Sequence, residues 1–233
     1  MAEVGCAVAR KDGGSEGKRR LAPAERQWQI LEGAIDVFAE HGFGADTRML
    51  AAHLGVSHSL IFRYFGSKEA LIERVYEHVF VTRWNPDWVH TLRDRDRPIA
   101  DRIVDFYTSY LRVVDDPRWI RIAMHASLDG RDLTRRYVNH HAAHLLSVVA
   151  AELHAAAGAP DQQAPDDIET AWMLHSTIIY YLVRKHIHRT HVVSDLTLAL
   201  RGLVQVFLEG ALPTLRHEAR AAAAPTRRAA ASR

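Results

Sequence analysis

Residues 54–68 hold two cations, Arg63 and Lys68, and no acid. The stretch opens on the four-residue turn Gly55-Val56-Ser57-His58. Glycine permits a sharp reversal there, Val56 packs into the angle, and Ser57 caps the next helix. That helix is about two turns long, and its exposed start is too polar for packing alone to explain. A short helix after a tight turn fits a DNA major groove ~12 Å wide and presents its first side chains to base edges. The chemistry is hydrogen-bonded and ionic recognition of nucleic acid, not bond breaking.

Motifs for covalent catalysis are missing. No G-x-S-x-G, H-E-x-x-H or paired-Cys pattern occurs. Gly13-Gly14-Ser15-Glu16-Gly17-Lys18-Arg19 looks superficially like a phosphate-binding loop. It is one residue short, carries Arg19 where Ser or Thr would hold magnesium, and comes after no strand. The expectation is that the chain is not an enzyme and takes no cofactor. A helical adaptor for protein partners is the rival from another class.

The elements that must position this turn are helices. The first starts near Pro23, whose missing N–H is not needed in a first turn. Ile30, Leu31, Ala34, Val37, Phe38 and His41 recur at helical spacing, and Gly42 stops it. Asp46 or Thr47 caps a second helix that ends at Gly55. Ser57 caps the third, which Gly66 breaks, and Ser67 opens a fourth over 67–84. Longer amphipathic segments are expected at about 97–114, 117–128, 131–157, 166–188 and 195–212. No run alternates as a half-buried strand would. The predicted fold is all-α with about nine helices: a three-helix helix-turn-helix unit at 23–84, then a larger helical domain at 85–213. A basic arm, 1–22, and an Ala/Arg-rich tail, 214–233, are expected to be disordered.

Composition agrees. The 233 residues are 48% hydrophobic and 25% charged, as in an ordinary globular protein. The net charge of +2 is unevenly spread: 1–83 carry 11 Lys/Arg against 11 Asp/Glu, 84–212 carry 14 against 16, and 213–233 carry 5 against 1. The recognition unit is therefore not globally basic, and it is the local segregation of sign that matters. The longest apolar run, Ile178 to Val183, is far below the ~18 residues of a membrane span. With no secretory signal and a lone Cys6, a cytoplasmic setting is expected.

Residues 24–83 resemble the DNA-binding domain of the TetR/AcrR family of transcriptional repressors. The carrying residues are Ile30-Leu31-Glu32-Gly33-Ala34-Ile35-Asp36-Val37-Phe38-Ala39-Glu40-His41-Gly42-Phe43, then Thr47-Arg48-Met49-Leu50-Ala51-Ala52-His53-Leu54-Gly55-Val56-Ser57, then Ser59-Leu60-Ile61-Phe62-Arg63-Tyr64-Phe65-Gly66-Ser67-Lys68-Glu69-Ala70-Leu71. The resemblance implies that Thr47 bonds a phosphate and that Arg48 reaches a base or phosphate. It puts Ser57, His58, Ser59 and Leu60 on the leading face of the recognition helix. Arg63 would read guanine through its planar fork, and Tyr64 and Lys68 would clamp the backbone. Two positions depart from the family pattern: Leu60 replaces a small or hydroxyl residue, and Phe62 a common Tyr. Operator sequence therefore cannot be transferred from a relative.

The resemblance further implies a palindromic double-stranded DNA operator, a homodimer formed through the last two long helices, and release by a small-molecule inducer. Ile168, Ala171, Trp172, His175, Ile178, Ile179 and Leu182 form one apolar stripe; Leu196, Leu200, Leu203, Val206, Phe207 and Gly210 form another. An apolar or amphipathic ligand is expected among Tyr107, Trp119, Met124, His125, Trp172 and His175. The 15 histidines raise a metal-responsive alternative, since His140 and His144 have i, i+4 spacing. No Cys, Asp or Glu completes an obvious set, so no metal site is assigned.

Overall fold

The computed structural model describes residues 21–130, 132–159 and 168–223; the arm at 1–20 and the tail beyond 223 lie outside the described residues. Ten helices occur among them and no strand. They are α1 (Pro23–His41), α2 (Thr47–Leu54), α3 (His58–Phe65), α4 (Lys68–Tyr76, continuing as a π-helical turn, Glu77–Val81), α5 (Asp87–Arg93), α6 (Ile99–Val114) and α7 (Pro117–Leu128). Then come α8 (132–157, with a π turn at Val138–Ala142), α9 (169–188, ending in a π turn at Val183–His188) and α10 (Leu196–Ala223).

Local chemistry sets the boundaries. Pro23 occupies the first turn of α1, where the Glu25 carboxylate accepts the Ala22 N–H at 2.9 Å. Asp46 caps α2 by accepting the Arg48 N–H at 3.0 Å, and Ser67 caps α4 by accepting the Ala70 N–H at 3.0 Å. Asp116 does the same for α7, accepting from Arg118 at 2.8 Å. Ser57 stands at the N-cap of α3 but does not cap it: its Oγ lies 3.1 Å from Ser59 Oγ. Gly33 lets α1 and α2 close up, because a Cβ there would fall 2.5 Å from Leu54 Cδ2.

Two differences from the expected helices have physical reasons. Asp87–Arg93 is a helix of its own, buried through Trp88 and Leu92, and the Trp88 indole N–H donates to Ser109 Oγ at 3.0 Å. The last helix does not end near 212. It runs through Pro213 to Ala223, held by buried Leu215 and by Arg216 Nε, which donates to the Ala157 carbonyl at 3.2 Å. Residues 214–223 are thus helix and not tail.

One continuous core joins the three-helix unit to the larger bundle. Arg118 bonds Glu32 at 2.8 Å, Arg121 Nε donates to the Ala39 carbonyl at 2.6 Å, and Arg136 bonds Glu73 at 2.7 Å. Among the described residues one helix, α10, is long and apolar enough to cross a membrane by length and composition; 17% of that window is buried.

Candidate nucleic-acid interface and effector cavity

The polar start of α3 lies beside the start of α2. His58 Nε2 is 2.7 Å from Thr47 Oγ1, and the His58 ring meets Phe62 edge-on at 4.7 Å. Thr47 is only 7% exposed, so its hydroxyl is a buried group satisfied by His58 and not an open donor. The Asp46 carboxyl is held below its usual range, chiefly by the Arg48 amide it caps. Arg48, Ser57, His58, Ser59 and Arg63 are exposed; Leu60, Tyr64 and Lys68 are half-buried. The Arg63 guanidinium sits 5.6 Å from the centre of the Tyr64 ring, which itself packs on the core. The nine expected contact residues thus lie at the start of α2, from the N-cap to the last turn of α3, and at the first residue of α4.

A second feature lies deeper in the bundle. A cavity of about 260 Å³ is bordered by α4, α6, α7, α8 and α9, with a wall that is mostly aromatic and aliphatic. Trp119, Met124, Trp172 and His175 line it as expected. Tyr107 does not: it is fully buried behind the wall, its hydroxyl 3.4 Å from His175 Nδ1. Nor does His125, whose ring packs on the Gly42 turn, where an added Cβ would come 3.0 Å from its Nδ1. His125 is an α1–α7 packing residue because Gly42, with φ 73°, brings the end of α1 against that face of α7.

Sequence reasoning missed Phe80, Tyr110, Tyr137 and Ile179 on the wall. Each of the three π turns contributes to it: Phe80 from the first, Val138 and Ala142 from the second, Val183 from the third. A π turn inserts one residue into the helical repeat and rotates every residue beyond it, so periodicity alone cannot assign these faces. The only available signal was the aromatic content of 76–84 and 107–119. Burial pushes the His175 imidazole down to about 4 and the Tyr107 and Tyr110 hydroxyls well up.

The remaining histidines have other surroundings. His186 Nε2 lies 2.6 Å from Asp115 Oδ1, and Lys185 holds the other oxygen at 2.5 Å, closing the end of α6. His141 and His144 lie against Trp84. Among the described residues no group of three or more His, Cys, Asp or Glu side chains could hold a metal ion.

Residues 30–75 match the family model for bacterial regulatory proteins of the tetR family. That segment, α1 to α4, is similar to the DNA-binding domain of the TetR family. The chain is 28% identical over 117 residues to the HTH-type transcriptional regulator LuxR of Vibrio harveyi, covering 49% of this chain and 56% of that one. It is 42% identical over 65 residues to the HTH-type transcriptional repressor Rv3405c of Mycobacterium tuberculosis, covering 26% of this chain and 35% of that one. The chain thus spans about half or less of the curated relatives it matches. The fold is similar to that of a TetR-like regulator from Rhodococcus sp. RHA1 (TM-score 0.59, 20% identity, 82% of this chain and 100% of that one). It is also similar to a tetR-family regulator from Streptomyces coelicolor (TM-score 0.54, 15% identity, 86% and 90%).

The matched segment is that of tetR-family regulatory proteins, and the matched relatives are transcriptional regulators. The family match ends at residue 75, ahead of the first π turn, so every cavity residue lies beyond it. Of the two departures from the TetR pattern, Phe62 supports the His58 ring and Leu60 is half-buried at the head of α3.

Proposed function

We propose that the chain is a repressor that binds a palindromic operator as a homodimer and leaves it when a small molecule enters the bundle. What carries this reading is the reading head: Ser57, His58, Ser59 and Leu60 at the start of α3, Arg63 one turn on, and Lys68 at the start of α4. Arg63 would pair with guanine, Arg48, Tyr64 and Lys68 would hold phosphates, and a phosphate reaching Thr47 would compete with His58 for its hydroxyl. In this reading 23–84 bind DNA and 85–213, extended by the rest of α10, bind ligand and partner.

A homodimer through α9 and α10 is supported by the apolar side chains these helices expose: Met173 and Tyr180 on one, Leu198 and Val206 on the other. Gly202 and Gly210 leave open space on the same helix for close approach. The apolarity of α10 then belongs to a subunit interface, and the protein works in the cytoplasm beside its DNA.

Release needs a ligand that favours the DNA-incompetent arrangement, by about 5.5 kcal/mol for a 99:1 reversal. Phe80 supports α4 as the lever. It sits in the π turn that ends the helix and borders the cavity, with its ring 5.5 Å from Trp119 and 5.2 Å from Tyr137.

The test is fluorescence anisotropy of the full chain on its own upstream intergenic DNA and on a scrambled duplex, at two salt concentrations. A preference of about 10³ or more, falling steeply with salt, is expected. Equal weak binding to both duplexes overturns the reading for that DNA.

A further inference from the structure

The cavity wall also restricts what can enter it. None of the sixteen residues bordering it is Lys, Arg, Asp or Glu. Six are Phe, Tyr or Trp, contributed by all five helices around the cavity. An ion entering it would leave its water and meet no opposite charge, at high cost.

Three hydroxyls on the wall are already committed. Thr134 Oγ1 donates to the Ala123 carbonyl at 3.1 Å, and the Tyr110 and Tyr137 hydroxyls lie 3.2 Å apart. His175 differs. Tyr107 behind the wall is fully buried, and its hydroxyl lies 3.4 Å from His175 Nδ1. A neutral imidazole that accepts at Nδ1 carries its proton on Nε2. With the Tyr107 hydroxyl donating to Nδ1, the ring offers an Nε2–H donor on a mostly apolar wall. Burial keeps it uncharged at neutral pH, because the cost of desolvation falls on the imidazolium.

We propose that the cavity takes an uncharged, flat aromatic molecule bearing one hydrogen-bond acceptor, and that the Nε2–H of His175 reads that acceptor. The inference rests on the reading of this cavity as the effector site. It adds the ligand's charge and the group that recognises it.

Four probes of one shape separate the cases: 2-acetylnaphthalene, 2-naphthoate, 2-naphthylmethylammonium and 2-ethylnaphthalene. Each is titrated into the full chain at pH 7, with quenching of tryptophan fluorescence as the signal, since Trp119 and Trp172 form part of the wall. The ketone is expected to bind at least tenfold tighter than either ion and at least threefold tighter than the ethyl compound. His175→Leu should erase the ketone's advantage over the ethyl compound, and His175→Gln, which keeps a neutral N–H donor, should restore part of it. Ala123→Phe, which fills the cavity from α7, should abolish quenching by all four while the chain keeps its cooperative melt.

Naphthoate binding as tightly as the ketone, or a ketone preference untouched by His175→Leu, overturns the inference. Four equal affinities lost together in Ala123→Phe would do the same while leaving the cavity a ligand site. No binding by any probe, or quenching that survives Ala123→Phe, would remove the effector reading of the cavity as well.

Discussion

His58 at the start of α3 and Thr47 at the start of α2 share a hydrogen bond, 2.7 Å from Nε2 to Oγ1, across the helix-turn-helix. Two helix starts that meet one DNA backbone in the proposed reading are thereby fixed to each other before any DNA arrives. The bond is largely sheltered, since Thr47 is 7% exposed. Removing His58 leaves the buried hydroxyl only its long contact to Asp46 Oδ1 at 3.5 Å, a loss worth about 1 kcal/mol. His58→Ala is therefore expected to weaken operator binding several-fold with the salt dependence unchanged, as read by anisotropy titration. Thr47→Val should cost a similar amount, and the double variant little more, because both remove one bond.

Arg63 and Lys68 should fail in different ways. Arg63→Ala removes a fork able to pair with a guanine edge, so the loss, about 1–3 kcal/mol, should fall on the specific duplex and spare the scrambled one. Lys68→Ala should weaken both duplexes alike and lower the slope of log affinity against log salt by about 1. Swapped outcomes would exchange their roles.

Most of the fold was legible because its boundaries are written in capping chemistry: Pro23, Asp46, Ser67 and Asp116 start helices and Gly42, Gly55 and Gly66 end them. The misreadings occur where chemistry and period part. The Ala/Arg composition of 214–233 reads as a tail, yet Leu215 finds the core and the helix continues to Ala223. Asp87–Arg93 buries two large side chains on too few residues to show a period. The π turns leave composition unchanged while rotating faces, so the place of Phe80 on the wall is not legible from period. Tyr107 and His125 miss the wall for other reasons: Tyr107 is buried behind it, and His125 faces the Gly42 turn. The helix-turn-helix was clearer, since a short polar helix after a glycine turn needs little tertiary information.

The exposed face of α10 can be tested without disturbing the core. Val206 is 70% exposed, whereas Leu200, Val204 and Leu208 on the opposite face are buried. Val206→Arg should leave the melting transition close to that of the parent, put a cation into each half of an interface built on this face, and yield a monomer by light scattering. Affinity for a palindromic duplex should then fall more than tenfold. A dimer that persists would move the interface off this face.

Arg102 and Glu152 form the charged pair inside the bundle, each 4% exposed, with Nη1 2.7 Å from Oε2. Arg102 also donates to the Leu92 carbonyl, and Arg95 grips Glu152 from outside at 2.9 Å. Burial raises the Glu152 pKa, but the two guanidiniums overcome it and hold the carboxyl below its ordinary value. Arg102→Met leaves a buried carboxylate half-paired and should cost about 3–5 kcal/mol in urea unfolding. Arg102→Met with Glu152→Met should cost clearly less than the two single changes together.

His175 makes stability depend on pH with a definite sign. The unfolded imidazole takes its proton near the ordinary 6.5, while the folded one, desolvated by burial, does so near 4. Between those values the unfolded state binds more protons, so stability rises with pH. The contribution is complete above pH 6.5 and is lost as pH falls toward 4. By pH 4.5 the loss from this group is about 2–3 kcal/mol. Other groups titrate over the same range, so the comparison is between the parent and His175→Phe, each unfolded in urea at pH 7 and at pH 4.5. Any packing cost of the phenyl ring cancels within one variant. The parent should lose about 2–3 kcal/mol more than His175→Phe over that interval. Equal losses would mean that the folded protein accommodates the imidazolium, and the wall of the cavity would then not exclude charge.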